Sequence, residues 1–144
     1  MCIRDSYWVS DNILICSEDS TGWWNLLFLD VAEINNIILK KRIIKPLTEY
    51  GSPQWVSGIS FFSGNIKNLF CIAKKDNGWV LEHYQNCEFV QEHKLPFSSI
   101  DDLDVFDRKL VIRGCSFGCF DELFECDFEA VSYTHLTLPT NREV

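Results

Sequence analysis

The chain has 144 residues, of which 13 are basic and 21 are acidic, so its formal net charge at pH 7 is −8. An acidic chain without a cluster of lysine and arginine argues against a nucleic acid or an anionic membrane as a partner. Its apolar runs are far shorter than the ~20 residues that a membrane-spanning helix needs. The length suits one small domain or part of a larger one.

The two ends of the chain are antisense to each other at the level of codons. Codons that spell Met1 to Asp5 have a reverse complement that spells Val131 to His135. Protein selection gives no reason for this relation, whereas a DNA element inserted in opposite orientations at both ends of a fragment produces it. Both strings resemble the transposase end sequence used to tag DNA libraries. We therefore expect residues 1–6 and 131–144 to be translated sequencing adapter, and residues 7–130 to be the biological part of a longer gene product.

The cysteines indicate a reducing compartment, and hence a cytoplasmic protein. Cys16 and Cys71 lie in apolar, strand-like runs, where a free cysteine behaves as a small hydrophobic residue. No pair forms the C-x-x-C pattern. The group Cys115, Cys119 and Cys126 has no nearby histidine and fits no usual zinc spacing. We therefore predict no metal and no other cofactor.

The biological part is predicted to be all-β. Two runs rich in branched or aromatic residues, 12–16 and 23–29, flank a polar turn at 17–22, as in a pair of strands. Segment 31–48 is ambiguous, because Ile34, Ile37 and Ile38 fit a helical stripe. The alternation over 42–47 favours a strand there.

The same pattern returns further along the chain. A run at 69–73 leads to Asn77-Gly78, a dipeptide typical of tight hairpins, and then to a strand at 79–84. This alignment matches Ile13 with Leu69, Gly22 with Gly78, and Trp23 with Trp79. A looser third copy comprises 103–106, a turn at 107–108, and strands at 109–113 and 123–128.

Repeated units of about four strands are typical of propeller blades. The predicted fold is therefore a partial β-propeller with two to three blades of mostly four antiparallel strands. A blade cannot bury both of its faces alone, so it stacks on its neighbours. We expect the aromatic residues Trp23, Trp24, Trp55 and Trp79 to fill the gaps between blades.

The run Gly114-Cys115-Ser116-Phe117-Gly118 matches G-x-S-x-G, the pattern of the nucleophile elbow in α/β-hydrolases. That elbow needs a strand-to-helix turn, followed later in the chain by an acid and a histidine. The residues after Gly118 alternate as a strand does, and the only later histidine is His135, in the predicted adapter. We favour a Gly/Ser turn between two strands; the alternative is a nucleophile at Ser116.

Other polar residues carry no clear chemistry. His83 and His93 are expected to be surface or satisfied strand histidines, because no cysteine or serine partner stands at a telling distance. The group Asp101, Asp102 and Asp104 lacks the Gly and the closing Glu of an EF-hand and is expected to be a solvated turn and strand start. We therefore predict no catalytic, cofactor-binding or metal-binding residues.

Three segments resemble successive landmarks of a known family. Ser20–Leu26, Gly51–Ser60 and Leu95–Ile100 are similar, in order and in spacing, to parts of the N-terminal propeller of prolyl-oligopeptidase-like (S9) serine peptidases. The bacterial dipeptidyl-peptidase or acylaminoacyl-peptidase-like branch is the most similar. In that alignment Gly114-Cys115-Ser116 falls at a Gly-Ser turn of the propeller.

The resemblance implies a two-domain parent protein. Its propeller would cap a C-terminal α/β-hydrolase domain that carries the Ser, Asp and His triad, and would admit only short peptides. The implied partners are that hydrolase domain and a peptide substrate. None of the triad positions maps onto this chain, and the paired-glutamate motif of dipeptidyl peptidases is absent.

Three hypotheses remain open at the level of the sequence. The first is a non-catalytic propeller fragment of a serine peptidase that gates access to the missing hydrolase domain. The second is the propeller of a non-enzymatic binding or scaffold protein, since propellers host many functions. The third is a truncated hydrolase with Ser116 as its nucleophile.

Overall fold

A computed structural model of the protein describes residues 3–52, 59–116, 118, 120–127 and 133–136. These residues form β-strands, turns and loops, and no helix among them could span a membrane. The strands are β1 (Ile3–Trp8), β2 (Ile13–Glu18), β3 (Asn25–Glu33), β4 (Asn36–Ile43), β5 (Thr48–Glu49), β6 (Phe62–Asn65), β7 (Asn68–Lys75), β8 (Gly78–Gln85), β9 (Glu88–Leu95), β10 (Ser99–Phe106), β11 (Lys109–Cys115), β12 (Glu122–Asp127) and β13 (Tyr133–Leu136).

The strands form three antiparallel sheets, which we call blades 1, 2 and 3. Blade 1 has the order β1-β2-β3-β4, and blade 3 has the order β10-β11-β12-β13. Blade 2 has the order β5-β7-β8-β9, and β6 pairs with β7 beside β5, which makes five strands. Each blade is thus a meander of neighbouring strands, which confirms the predicted all-β class.

Successive blades contact each other at β1, β6 and β10 and the residues beside these strands. The amide of Ile66 donates to Val9 O at 2.8 Å, which connects blade 2 to blade 1. The amide of Leu103 donates to Ser60 O at 3.1 Å, and Ser60 forms a parallel bridge with Asp102, so that blade 2 also contacts blade 3. Blades that contact each other in succession at β1, β6 and β10 form part of a propeller, as predicted.

Aromatic rings pack between the blades. The ring centroids of Phe28 in blade 1 and Tyr84 in blade 2 are 5.9 Å apart. Trp79 is buried, contacts Phe61 edge to face at 5.7 Å, and donates from Nε1 to Ser98 O at 3.2 Å. Trp79 thus packs beside the connection from blade 2 to blade 3, whereas Trp55 lies outside the described residues.

Blade 2 is buried more continuously than an isolated sheet would be. In β7 the side chains from Leu69 to Ala73 are all buried, and so are those from Trp79 to Tyr84 in β8. Both faces of these strands are covered, since a neighbouring blade lies on each side. The outer strands β4 and β9 are instead exposed along most of their length, with a buried residue only at the end, Ile43 and Leu95.

One part of the sequence alignment is wrong. Glu18 pairs with Asn25, which leaves a connection of residues 19–24 between β2 and β3, whereas Lys75 pairs with Gly78 across a turn of only residues 76–77. The longer connection places Trp23 in a loop before β3, so it is not equivalent to Trp79 near the start of β8. Trp23 and Trp24 are accordingly only half-buried.

The other strand predictions agree with the structure. The ambiguous segment 31–48 contains the end of β3 and the whole of β4, so the strand interpretation is confirmed. The third copy is also present, with β10 and β11 joined by a turn at Asp107 and Arg108.

Two strands include residues of the predicted adapter ends. Most of β1 falls in segment 1–6, and β13 falls wholly in segment 131–144. They pair with β2 and β12 through backbone N–H and C=O groups. Every residue other than proline carries both groups, so this pairing is independent of the origin of the ends.

Candidate functional site

Ser116 lies between two antiparallel strands. The strand before it, β11, pairs with the strand after it, β12, through Gly114 and Glu122. A Cβ atom at Gly114 would lie 2.8 Å from Ser99 O, so glycine is needed there because β10 passes close by. The described part of this connection contains no helix that could form the strand-to-helix turn of a nucleophile elbow. The interpretation as a turn is therefore the one that the structure supports.

His83 is a buried strand residue in β8, with 8% of its surface exposed. Its ring stacks on Phe70 with centroids 4.5 Å apart, and its Nε2 is 3.0 Å from Asn68 Oδ1. Burial lowers the pKa of His83 below 6.5, and the nearby His93 lowers it further, so the ring is neutral at pH 7. The expectation of a satisfied histidine holds only in part, because the buried Nδ1 atom has no hydrogen-bond partner.

The sequence predicted a solvated turn and strand start for the aspartates of segment 101–104. In the structure they do not lie in a turn. They lie within β10, which already begins at Ser99. Asp104 Oδ1 accepts a hydrogen bond from Ser63 Oγ at 3.1 Å, and the same hydroxyl accepts from the amide of Val105 at 3.1 Å. Asp104 therefore joins blade 2 to blade 3, which a strand in isolation could not reveal.

The cysteines are free thiols wherever the structure describes them. Cys16 and Cys71 are fully buried, as predicted. Burial raises the pKa of Cys16 to about 11, with a smaller contribution from Glu18, and burial also raises the pKa of Cys71. Cys119 lies outside the described residues. Within them, no group of three or more His, Cys, Asp or Glu residues could hold a metal ion.

A buried carboxylate of blade 2 meets the connection that leads into that blade from blade 1. Glu82, in β8, has no exposed surface and accepts hydrogen bonds from three side chains that converge on it. Lys45 Nζ donates to Oε1 at 2.6 Å, while the hydroxyls of Tyr50 and Tyr84 donate to Oε2 at 2.7 and 2.6 Å. Burial, followed by the charge of Glu82, raises the pKa of Tyr50, and both tyrosines stay protonated as donors.

No pattern in the sequence predicts this cluster. Glu82 looks like an outward-facing residue of an alternating strand, and Lys45 and Tyr50 lie 37 and 32 positions away from it. Only the pairing of β5 with the other strands of blade 2 brings the three together. The carboxylate oxygens are occupied by donors of the chain itself, so the arrangement stabilises the fold.

A second buried carboxylate lies within blade 1. Glu18 Oε1 accepts from Arg42 Nη2 at 2.6 Å and from Asn25 Nδ2 at 3.2 Å, while Oε2 accepts from the amide of Ser20 at 2.7 Å. Burial alone would raise the pKa of Glu18, but the hydrogen bonds from Ser20, Arg42 and Asn25 outweigh it and lower the pKa to about 2. Arg42 is thus the ion-pair partner of Glu18.

An open cleft lies at one end of blades 2 and 3, and we call it the end-face cleft. Its volume is about 490 Å³. Its walls come from the turn between β6 and β7, the end of β8, and the turn between β10 and β11. The lining residues are Asn65, Asn68, His83, Gln85, Val105, Asp107 and Arg108. Most of these side chains are polar, which distinguishes this cleft from the aromatic packing between the blades.

No family model and no curated protein matches the chain. Solved structures do. The chain is 23% identical to puromycin hydrolase, with a TM-score of 0.69, and 23% identical to a serine-to-alanine mutant of puromycin hydrolase complexed with PGG, with a TM-score of 0.68. It is 16% identical to a puromycin-hydrolyzing peptidase of Mycobacterium tuberculosis, with a TM-score of 0.68.

In each comparison the alignment covers 92% of this chain and 20% of the solved chain. The chain thus spans one fifth of the length of these proteins. The likeness extends over nearly the whole chain and confirms the fold that the sequence resemblance implied, part of a β-propeller.

Proposed function

We propose that the chain is a non-catalytic part of the propeller of a prolyl-oligopeptidase-like serine peptidase, and that this propeller limits the access of short peptides to an α/β-hydrolase domain. The observation that supports the proposal most strongly is the similarity in fold to puromycin hydrolase over 92% of the chain. The three sequence landmarks of the S9 propeller, which occur in the same order here, support it independently.

The first experiment is to sequence the genomic locus across both ends of the fragment. We expect an open reading frame that continues through further blades into a hydrolase domain with its own G-x-S-x-G motif. We also expect genomic codons that differ from those of segments 1–6 and 131–144, because we propose that these segments are adapter. Blades alone, followed by a stop codon, would contradict the peptidase proposal and support a binding or scaffold propeller.

The second experiment tests gating in the complete protein encoded at that locus. Hydrolysis of a set of peptides with the same scissile bond and increasing length should fall steeply in kcat/KM as the peptide becomes too large to pass the propeller. A free hydrolase domain serves as the control and should show a much weaker dependence on length. Equal dependence in the two proteins would contradict gating.

Ser116 provides a third test, on the chain itself. A fluorophosphonate probe labels activated serine nucleophiles and leaves ordinary hydroxyls unmodified. We expect the chain and its Ser116→Ala variant to show the same background labelling. Labelling that disappears with Ser116→Ala would replace our proposal with the truncated-hydrolase hypothesis.

We also propose that the parent protein works in the cytoplasm. The five cysteines in the described residues are free, which suits a reducing compartment. Titration of thiols in the unfolded chain, purified without reductant from cytoplasmic expression, should recover all of these cysteines as thiols. Expression in an oxidising compartment is the control, and disulfide-bonded chain with higher stability there would contradict the proposal.

A further inference from the structure

The walls of the end-face cleft are held in place by contacts of blades 2 and 3. Ser63 Oγ accepts from the amide of Val105 at 3.1 Å and donates to Asp104 at 3.1 Å, which fixes β6 to β10 beside the cleft. The amide of Asn86 donates to Ile66 O at 2.7 Å and connects the two turns of blade 2 at this end. A ligand would therefore meet walls that are already positioned, which lowers the entropic cost of binding.

Three carboxamides of the cleft are oriented by the chain, and each uses only one of its two polar ends. Asn65 Oδ1 accepts from the amides of Lys67 and Asn68 at 3.0 and 3.1 Å. Asn68 Oδ1 accepts from Gln85 Nε2 at 3.3 Å and lies 3.0 Å from His83 Nε2. Within the described residues, this leaves two donors, Asn65 Nδ2 and Asn68 Nδ2, and one acceptor, Gln85 Oε1, for a ligand.

The chemistry of these unused groups favours a ligand hydroxyl. Because Gln85 Nε2 contacts Asn68 Oδ1, the free acceptor of Gln85 and the free donor of Asn68 belong to two adjacent carboxamides. A hydroxyl can accept from that donor and donate to that acceptor, whereas a carbonyl oxygen only accepts and a peptide N–H only donates. Water also does both, but a polyol carries several hydroxyls on one frame and loses less entropy for each hydrogen bond.

His83 gives an independent indication that the wall of the cleft is completed by another molecule. The residue lines the cleft, is more than nine-tenths buried, and has an Nδ1 atom without a partner in the described part of the chain. Since Nε2 lies against the Asn68 oxygen and so carries the proton, Nδ1 is an acceptor. Buried polar atoms are almost always paired, so this acceptor calls for a donor from outside the chain, and a hydroxyl supplies one.

The charges around the cleft favour a ligand without net charge. The lining carries one acidic side chain, Asp107, and one basic side chain, Arg108, and is neutral in total. The chain as a whole has a net charge of −8, which disfavours an anionic ligand. Asp107 is exposed in the turn between β10 and β11, and the two oxygens of its carboxylate can accept from two neighbouring hydroxyls of one ligand.

We propose that the end-face cleft binds a neutral saccharide through its hydroxyl groups. One hydroxyl accepts from Asn68 Nδ2 and donates to Gln85 Oε1, and a second accepts from Asn65 Nδ2. A pair of neighbouring hydroxyls donates to the carboxylate of Asp107. The volume of the cleft lies within the range of about 300 to 1,000 Å³ that is usual for ligand pockets. The proposal goes beyond gating, because it needs neither a peptide substrate nor a hydrolase domain.

The test is a titration of the chain with maltose, a neutral disaccharide with neighbouring hydroxyls, followed by NMR shifts of backbone amides. We expect saturable shifts at residues of the cleft. Maltose methylated at every hydroxyl is the matched ligand, since it keeps the two rings and their acceptor oxygens but cannot donate a hydrogen bond. It should bind at least about tenfold more weakly, the loss expected when hydrogen bonds to a carboxylate are removed.

Asp107→Gly is the decisive variant. Asp107 has a φ of 57°, which glycine adopts readily, so the variant preserves the turn while it removes both carboxylate oxygens. It should weaken maltose binding about tenfold and reduce the difference between maltose and its methylated form. Asp76→Gly is the matched control, since Asp76 is an exposed aspartate in the turn at the opposite end of blade 2, and it should leave binding unchanged.

Absence of saturable shifts with maltose would overturn the proposal, and so would equal binding of maltose and its methylated form. Binding that Asp107→Gly leaves unchanged would place the saccharide elsewhere and overturn the assignment to the cleft. The outcome is separable from that of the proposed function. A hydrolase domain at the locus with no maltose binding refutes only the saccharide site, and binding without such a domain refutes only the peptidase.

Discussion

Two buried glutamates connect parts of the chain that are far apart in sequence. Glu82 holds the residues on either side of β5 to β8 through Lys45 and Tyr50, whereas Glu18 holds β4 to the start of β3 through Arg42 and Asn25. A carboxylate removed from water is costly unless donors replace the lost hydration. Each glutamate therefore depends on its partners, and loss of either side leaves an uncompensated group.

Glu82→Gln tests the cluster formed by Glu82, Lys45, Tyr50 and Tyr84. The variant keeps the shape of the side chain but removes the negative charge that pairs with Lys45. Its amide nitrogen replaces a carboxylate oxygen and cannot accept the hydrogen bond that this oxygen accepts. We expect the free energy of unfolding to fall by about 2 kcal/mol, a value reduced from that of a fully buried pair because Lys45 is partly exposed. The measurement is urea denaturation followed by tryptophan fluorescence.

The double variant Glu82→Gln with Lys45→Met is the control, since it removes the unpaired ammonium as well. It should recover part of the loss. Equal stability of the wild-type chain and Glu82→Gln would show that the cluster does not stabilise the fold.

The lowered pKa of Glu18 predicts that the stability of the fold depends on pH. Its pKa is about 2 in the folded chain and about 4.5 as a free group, so the folded state stabilises the ionised form. This contribution is fully present above about pH 4.5 and is lost as the pH falls toward 2, as the carboxylate becomes protonated in the folded state. Glu18→Gln should remove on the order of 2 kcal/mol of stability at pH 7 and flatten the decline over this interval.

The measurement is urea denaturation at a series of pH values. Glu33→Gln, at the exposed end of β3, is the matched control and should reproduce the wild-type slope. A Glu18→Gln variant with an unchanged slope would contradict the assignment.

At the level of elements, the hairpin turns set the register of each blade. Gly64 in β6 and Gly78 at the start of β8 adopt nearly the same φ, 123° and 122°, in a region that other residues rarely adopt. Their surroundings differ. A Cβ atom on Gly64 would lie 2.1 Å from Asn68 O, whereas a Cβ atom on Gly78 would meet nothing within 4 Å.

Alanine variants at these two glycines distinguish the cost of backbone strain from the cost of steric overlap. Gly78→Ala should cost about 1 to 2 kcal/mol, the strain of positive φ alone. Gly64→Ala should cost at least about 2 kcal/mol more, because β6 must move away from β7 to admit the methyl group. The free energies of unfolding of the two variants, measured side by side in urea, check the prediction. Equal losses would show that β6 shifts without cost.

At the scale of the whole molecule, the three blades are unequal in their surroundings. Blade 2 has a neighbour on both faces, and its strands β7 and β8 contain continuous runs of buried side chains. The outer strands β4 and β9 are mostly exposed. In an array in which each repeat contacts only its neighbours, the interior repeat gains two interfaces and the terminal repeats gain one.

Native-state hydrogen exchange should therefore be slowest in blade 2. We expect the amides of Cys71 and Ile72 in β7 and of Leu81 in β8 to exchange only through global unfolding, and the amides of β12 to exchange through local opening. Mass spectrometry of peptic fragments, or NMR, provides the measurement. Protection of β12 equal to that of β7 would indicate a single cooperative unit and contradict the nearest-neighbour view.

The sequence by itself determined the all-β class, most strand positions and the arrangement in repeated sheets. These features depend on local signals, namely short apolar runs and polar turns such as Asp107-Arg108. Such signals are contained within a single pair of neighbouring strands. The alignment of Trp23 with Trp79 failed because loop length varies freely between blades, and a fixed offset cannot follow such changes.

Only the tertiary structure decided which polar residues meet. Glu82 in β8 meets Lys45 and Tyr50 from the two sides of β5, and the end-face cleft joins Asn68 of one blade to Asp107 of the next. It also decided that Gly114 serves the close approach of β10 and that Ser116 follows in a connection between antiparallel strands. The physical reason is that burial and contact between blades depend on the stacking of separate sheets. Periodicity along one strand records which face is apolar, but it carries no information on the neighbour that covers that face.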